Sequence, residues 1–268
     1  MFHTIKQGTL EYLTADALEG SVHCFSTRLG GVSEGQLSSL NLGTHRGDKP
    51  ENVRENYRIL GKAVGFAPEE TIFTRQEHTD LLLRVGRADC GTGLDREQTT
   101  VCDGILTDEP GVALVCFAAD CTPVLLFDPV RQAIAAVHAG WRGTAQGIAY
   151  KAVLRMQEEF GCAPEDIRAA IGPCIGRCCF EVGPEVPEGS EMCIRDSAEA
   201  AIEPRGEKAH VDLKLLNRIW LQKAGVQVID VSPDCTMCHP DRFWSHRVTG
   251  GARGSQAAII RLKGGAAQ

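Results

Sequence analysis

The chain has 268 residues, of which 43% are hydrophobic and 24% charged. That is enough apolar material for a full core, and it excludes a disordered, collagenous or coiled-coil chain. The 28 Lys and Arg against 35 Asp and Glu leave a net charge of -7, which excludes a strongly basic nucleic-acid surface but not a local pocket for a small anion.

The first residues, Met1 to Gly8, hold no apolar run of signal-peptide length. The apolar stretch at 112–119 is too short to span a bilayer. A cytoplasmic protein with no membrane or nucleic-acid partner is expected, and its 12 cysteines are expected as thiols. Cys24, Cys102 and Cys116 read as small buried hydrophobes.

In chain order, length and β-branching predict strands over 22–26, 72–74, 81–85, 112–117, 124–127, 133–137, 167–171, 226–231 and 257–262. Asp128-Pro129 marks a turn, so 124–127 and 133–137 should form an antiparallel hairpin. Helices are expected over 51–64, 144–160 and 213–223. In the second, Ala145, Ile148, Ala149, Ala152, Val153, Met156 and Phe160 share one face, with Thr144 as N-cap and Gly161 as stop. Many strands with few helices point to an α/β (α+β) domain with mixed sheets. One domain over 1–268 is expected. The stretch 187–197 has no clear periodicity and reads as a loop. Its piece Met-Cys-Ile-Arg-Asp-Ser resembles a translated sequencing-library adaptor, so 187–198 is expected to be non-native.

Three strand-end strings concentrate chemistry: Arg75-Gln76-Glu77-His78, Ala118 to Pro123 with Asp120-Cys121, and His138-Ala139-Gly140-Trp141-Arg142-Gly143-Thr144. His78, Cys121 and His138 would give two imidazoles and a thiolate, a set that binds zinc and leaves one position open. Arg142 beside a helix start reads as an oxyanion cradle. The competing reading is ordinary buried His and Cys, with Arg142 paired to an acid. Asp120, Asp103 and Asp48 are candidate acid/base or ligand-orienting groups. Arg28, Asn41 and Arg247 are candidate ribose or phosphate contacts.

The string HAGWRGT at His138–Thr144 resembles the multicopper polyphenol oxidase (laccase-type) family. The preceding ADC and the later AAIGPCIGRCCFEVG carry the same likeness. So do FSTRLGGVSEG, SLNLGTHRGD, NVREN, DGILTDEPG and CTMCHPDRFWSHR, and the likeness extends from about residue 20 to 262. It includes the peptidoglycan editing factor and laccase-domain purine nucleoside phosphorylases. The resemblance implies a layered α/β/β/α fold, with His78, Cys121 and His138 as metal ligands. It implies zinc, with copper as the other candidate. It also implies phosphorolysis of adenosine, inosine, guanosine and methylthioadenosine, with adenosine deamination alongside, so the partners would be a purine nucleoside and phosphate. Glu77 and Thr79-Asp80 depart from the family's usual residues around the first histidine.

Two other cysteine patterns compete. Cys235-Thr236-Met237-Cys238-His239 matches C-x-x-C-H haem attachment, which needs an export route. A structural zinc site could be drawn from Cys174, Cys178 or Cys179, Cys235 and Cys238. Plain packing thiols are the simpler reading. The functional alternatives are an editing hydrolase of peptidoglycan precursors and a copper-dependent polyphenol oxidase. The latter needs several copper sites, and the chain has 8 histidines in all.

Overall fold

A computed structural model describes residues 1–194 and 199–264. The strands run β1 Phe2–Gln7, β2 Leu10–Ala15, β3 Ser21–Ser26, β4 Thr71–Phe73, β5 Leu82–Arg84, β6 Gly104–Thr107, β7 Ala113–Ala118 and β8 Thr122–Asp128. They continue as β9 Ala133–Ala139, β10 Arg168–Ile171, β11 Glu181–Val182, β12 Ile202–Arg205, β13 Lys208–Val211, β14 Val228–Val231 and β15 Gln256–Leu262. The helices are α1 Pro50–Val64, α2 Trp141–Ala145, α3 Ile148–Phe160, α4 Glu185–Ile194, α5 Leu213–Lys223 and α6 His246–Thr249.

Two six-stranded mixed sheets form the centre. Their orders are β1-β2-β3-β15-β7-β4 and β14-β10-β8-β9-β6-β5. A small sheet, β11-β13-β12, lies outside them. Alternation along β8 explains the layering. Leu125 and Phe127 point between the two sheets, against Leu114, Cys116 and Ala258. Val124 and Leu126 point the other way, into a cluster with α3 and α5. On the far face of the first sheet, Val53, Tyr57 and Leu60 of α1 pack on Val115 and Ile259. The result is an α/β/β/α stack, as the resemblance implied. Full burial of a side chain such as Tyr57 contributes about 2–3 kcal/mol.

The nine expected strands are all present, and the β8–β9 hairpin pairs Phe127 with Ile134 around the Asp128-Pro129 turn. The helix expected over 144–160 is instead two helices. Gly147 breaks it by entering the left-handed region (φ 73°), which glycine adopts without strain, and the missing Cβ leaves room for the Trp220 ring, 3.2 Å from where that atom would stand. Thr144 is therefore inside α2 and does not cap α3; its carbonyl accepts from Trp220 Nε1 at 2.7 Å. The stretch expected as a loop near 187–197 is helical through Ile194, and 195–198 lie outside the described residues. Among the described residues no helix is long and apolar enough to cross a membrane.

Candidate metal centre

The sheet register brings the three candidate ligands together. Pro123 pairs with His138 across the β8–β9 hairpin, so Cys121, just before β8, stands at the same sheet end as His138. Strand β6 flanks β9 with Gly104 opposite Val137, which sets Asp103 beside His138. The His138 amide donates to the Asp103 carbonyl at 2.7 Å. His78 comes from the loop after β4, with φ 61°. The ligand atoms of His78, Cys121 and His138 all lie within 4.8 Å of one another. Cys121 Sγ is 3.6 Å from His78 Nε2, and the two imidazoles meet edge-to-face at 5.0 Å. The trio grades from exposed His78 through half-buried Cys121 to buried His138.

Asp103 is the organiser of this site. Its carboxylate accepts from His138 Nδ1 at 2.7 Å, and from the backbone amides of Glu77, His78 and Thr79 at 3.1, 3.0 and 2.8 Å. The Thr79 hydroxyl adds a fifth bond at 2.7 Å. One fully buried carboxylate thus fixes the His138 ring and the loop that presents His78. Thr79 supports the centre through this bond. Glu77 faces solvent near Arg75, and Asp80 pairs with Lys151.

Charge is arranged to suit a cation. Burial opposes the Asp103 carboxylate, but the His138 and Thr79 bonds outweigh it and hold the group down at about 2. Burial likewise opposes the Cys121 thiolate, yet His138 and His78 bring the thiol down to about 6. His138 is pushed up to about 9, Cys121 and Asp103 overcoming its burial. The metal-free pair is therefore a thiolate beside an imidazolium near neutral pH.

Space is fitted to the trio as well. A Cβ on Gly140 would stand 2.7 Å from His78 Cδ2, 3.4 Å from Cys121 Sγ and 3.5 Å from His138 Cε1. Two imidazoles and a thiolate around such a cradle fit zinc, and fit copper by donor type.

The other expected residues have specific places. Asp120 (φ 84°) faces away from this arrangement, accepting from Thr236 Oγ1 at 2.6 Å, Ser245 Oγ at 3.0 Å and the Arg247 amide at 2.7 Å. The Arg247 guanidinium donates to the Glu181 carbonyl. Asn41 is fully buried and bonds Gly43, Asp48 and Ser255; Asp48 also takes Ser33 and Asn52. Arg28 lies over the Trp244 ring and donates to the Ser38 and Pro240 carbonyls. Arg142 is exposed on α2, over the Trp141 ring. These contacts tie Arg28, Asn41 and Arg247 into loop architecture; the hydrogen bonds do not join them to the trio.

Arg46 and Arg253 are residues that sequence reasoning passed over. Arg253 is held down at about 10, by its burial and then by neighbouring Arg46, against the pull of Asp120 and Cys121. Its Nε is buried and has no partner among the described residues. Both guanidiniums reach the Ser255 hydroxyl. A cavity of about 690 Å³ is lined by Arg46, Phe73, Gln76, Phe117 and Ser255 among others, while Arg253 lines a separate one of about 420 Å³ together with Arg46. The larger shares the loop that carries His78 but is not lined by the trio. Arg46 lay within the quoted SLNLGTHRGD string; Arg253 lay in a Gly-rich run with no periodicity to mark it.

Residues 22–263 match the family described as multi-copper polyphenol oxidoreductase laccase. A purine nucleoside phosphorylase of Bacteroides thetaiotaomicron is 38% identical over 247 residues, covering 90% of this chain and 91% of that protein. The purine nucleoside phosphorylase YlmD of Geobacillus stearothermophilus is 38% identical over 258 residues, covering 92% of each. The crystal structure of YlmD from that organism superposes with a TM-score of 0.91 at 35% identity, over 97% of this chain and 99% of that one. On this breadth of similarity, the chain belongs to the multi-copper polyphenol oxidoreductase laccase family.

Proposed function

We propose that the chain is a metal-dependent purine nucleoside phosphorylase acting in the cytoplasm on adenosine, inosine, guanosine and methylthioadenosine, with adenosine deamination as a second activity. The observation that carries this reading is the convergent His78, Cys121, His138 set held by Asp103. Relatives named for the reaction, alike over most of their length, support it. Zinc, with copper as the other candidate, would be held by these three side chains and would supply a Lewis acid and an acidified water. A copper oxidase would need several copper sites, and two imidazoles with one thiolate make one.

In phosphorolysis an oxygen of hydrogenphosphate bonds to ribose C1′ as the C1′–N9 bond breaks, giving ribose 1-phosphate and, with the phosphate's proton ending on the departing base, the free purine. Arg46 and Arg253 hold the phosphate dianion, with Ser255 positioning both guanidiniums. Arg142, two residues after Gly140, supplies a third guanidinium. Asp103 holds a proton on His138 Nδ1, so that Nε2 is the atom left to bind a metal once the imidazolium gives up its second proton. The adjoining cavity has the volume of a small-molecule site.

The test is hypoxanthine release from inosine by chelator-stripped protein, before and after zinc is restored, at several phosphate concentrations. Release should require both phosphate and zinc. No base release under any phosphate and metal condition would overturn the reading.

A further inference from the structure

We propose that Cys178, Cys179, Cys235 and Cys238 form a second, structural zinc site that clips the loop after β10 to the loop after β14. The four sulfurs lie within 4.8 Å of one another. Cys178 Sγ is 3.6 Å and Cys179 Sγ 3.4 Å from Cys238 Sγ. Zinc–sulfur bonds of about 2.3 Å in a tetrahedron place sulfurs about 3.8 Å apart, so small adjustments close the site. The same spacing is too long for a disulfide as it stands, where sulfurs are about 2.05 Å apart. It is also too compact for an iron–sulfur cluster, which spreads its thiolates over separate irons.

The backbone is arranged as a thiolate site requires. A parallel bridge joins Cys174 to Cys235 and aligns the two loops. The Gly176 amide donates to Cys235 Sγ at 3.1 Å, and an N–H aimed at sulfur favours the thiolate. Cys174, which the sequence also offered, is not part of the set; its thiol is buried and donates to the Ile175 carbonyl. Cys178 and Cys238 are exposed and Cys235 is buried, so a metal can enter from solvent and be held from beneath. Four sulfur ligands fill the coordination of zinc, which marks a structural site, whereas the trio leaves a position open.

The placement gives the clip a purpose. Thr236, between the two clustered cysteines of its loop, donates to Asp120 Oδ1 at 2.6 Å. The Ile175 amide, from the other loop, donates to the Asp120 carbonyl at 3.0 Å. Both clipped loops therefore grip the residue that precedes Cys121.

The experiment measures zinc per chain in the full protein, purified reduced and equilibrated with zinc, and in a variant carrying His78→Ala, Cys121→Ala and His138→Ala. Two zinc ions are expected in the parent and one in the variant, with four sulfur neighbours by X-ray absorption. A folded variant that takes up no zinc would overturn the proposal, as would a first shell containing nitrogen. A second measurement needs no variant: alkylation of Cys178 and Cys238 in the zinc-loaded parent, followed by mass spectrometry. Both should be protected until a chelator is added. Equal labelling with and without zinc, or an unreduced Cys179–Cys238 or Cys178–Cys238 disulfide, would overturn it.

Discussion

Asp103 Oδ1 lies 2.7 Å from His138 Nδ1, and the same carboxylate holds the loop that carries His78. Replacing Asp103 with Asn leaves one acceptor oxygen for five donors and removes the charge. Zinc affinity should fall about 10–100-fold, as for other partners that orient a ligating imidazole. Stability should fall by about 2–4 kcal/mol, because buried donors lose their acceptor. Chelator competition and urea unfolding measure the two effects. Unchanged zinc affinity in Asp103→Asn would remove Asp103 from the metal centre.

Metal uptake should release protons. Between the Cys121 value of about 6 and the His138 value of about 9, the metal-free pair carries one proton that a ligating His138 must lose. Affinity should rise about tenfold per pH unit across that window and level off above it. Below it the rise should steepen, since Cys121 must ionise as well. Calorimetry in two buffers of different ionisation enthalpy counts the proton; a count of zero at pH 7.5 would contradict the charge assignment.

Gly140 is required by space rather than by backbone strain, since its φ is -64°. The Cβ of Gly140→Ala would press on the His78 ring at 2.7 Å. Zinc retention should drop at least tenfold while the melting temperature changes by a few degrees. A fully loaded Gly140→Ala protein would show that His78 is free to move without cost.

Arg253→Met should raise the KM for phosphate tenfold or more and leave the nucleoside KM within about threefold, since its guanidinium, beside Arg46 and Ser255, is assigned to the anion. Steady-state kinetics with each substrate varied separate the two. A change confined to the nucleoside would move the phosphate site elsewhere, with Arg142 as the next residue to replace.

His23 should contribute to the loss of stability in mild acid. Its Nε2 accepts the Ala15 amide at 2.9 Å, which needs the neutral ring. Burial pushes His23 down to about 4. The unfolded chain binds this proton near pH 6.5, so stability is complete above that pH and falls as pH drops toward 4. The loss should reach about 3 kcal/mol. His23→Gln, which can still accept the amide, should flatten that part of the urea-stability profile. A profile as steep as the parent's would place the titration on another group.

How much was legible follows from what each feature depends on. The β8–β9 hairpin was readable because an Asp-Pro turn separates two short apolar runs. The trio was readable because its donors stand where strands end. The break at Gly147 was not, because the apolar period continues through it and nothing local marks its left-handed backbone. Strands β1, β2, β6, β11, β12 and β13 escaped notice: β1 and β12 expose polar residues, while β6 is a buried four-residue run and β11 a two-residue one, too short to show alternation. Asp103 and Asp120 looked equivalent in sequence. Only the register of β6 against β9 puts one at the His138 ring, while Asp120 turns toward Thr236, Ser245 and Arg247. Arg46 and Arg253 meet only in the folded chain.

The most direct measurement is product analysis of the zinc-loaded protein with adenosine, with and without phosphate. Adenine and ribose 1-phosphate should form only when phosphate is present, with inosine as the product of the second activity. Adenosine returned without any adenine in the presence of phosphate, or adenine release that ignores phosphate, would contradict the assignment of a nucleoside phosphorylase.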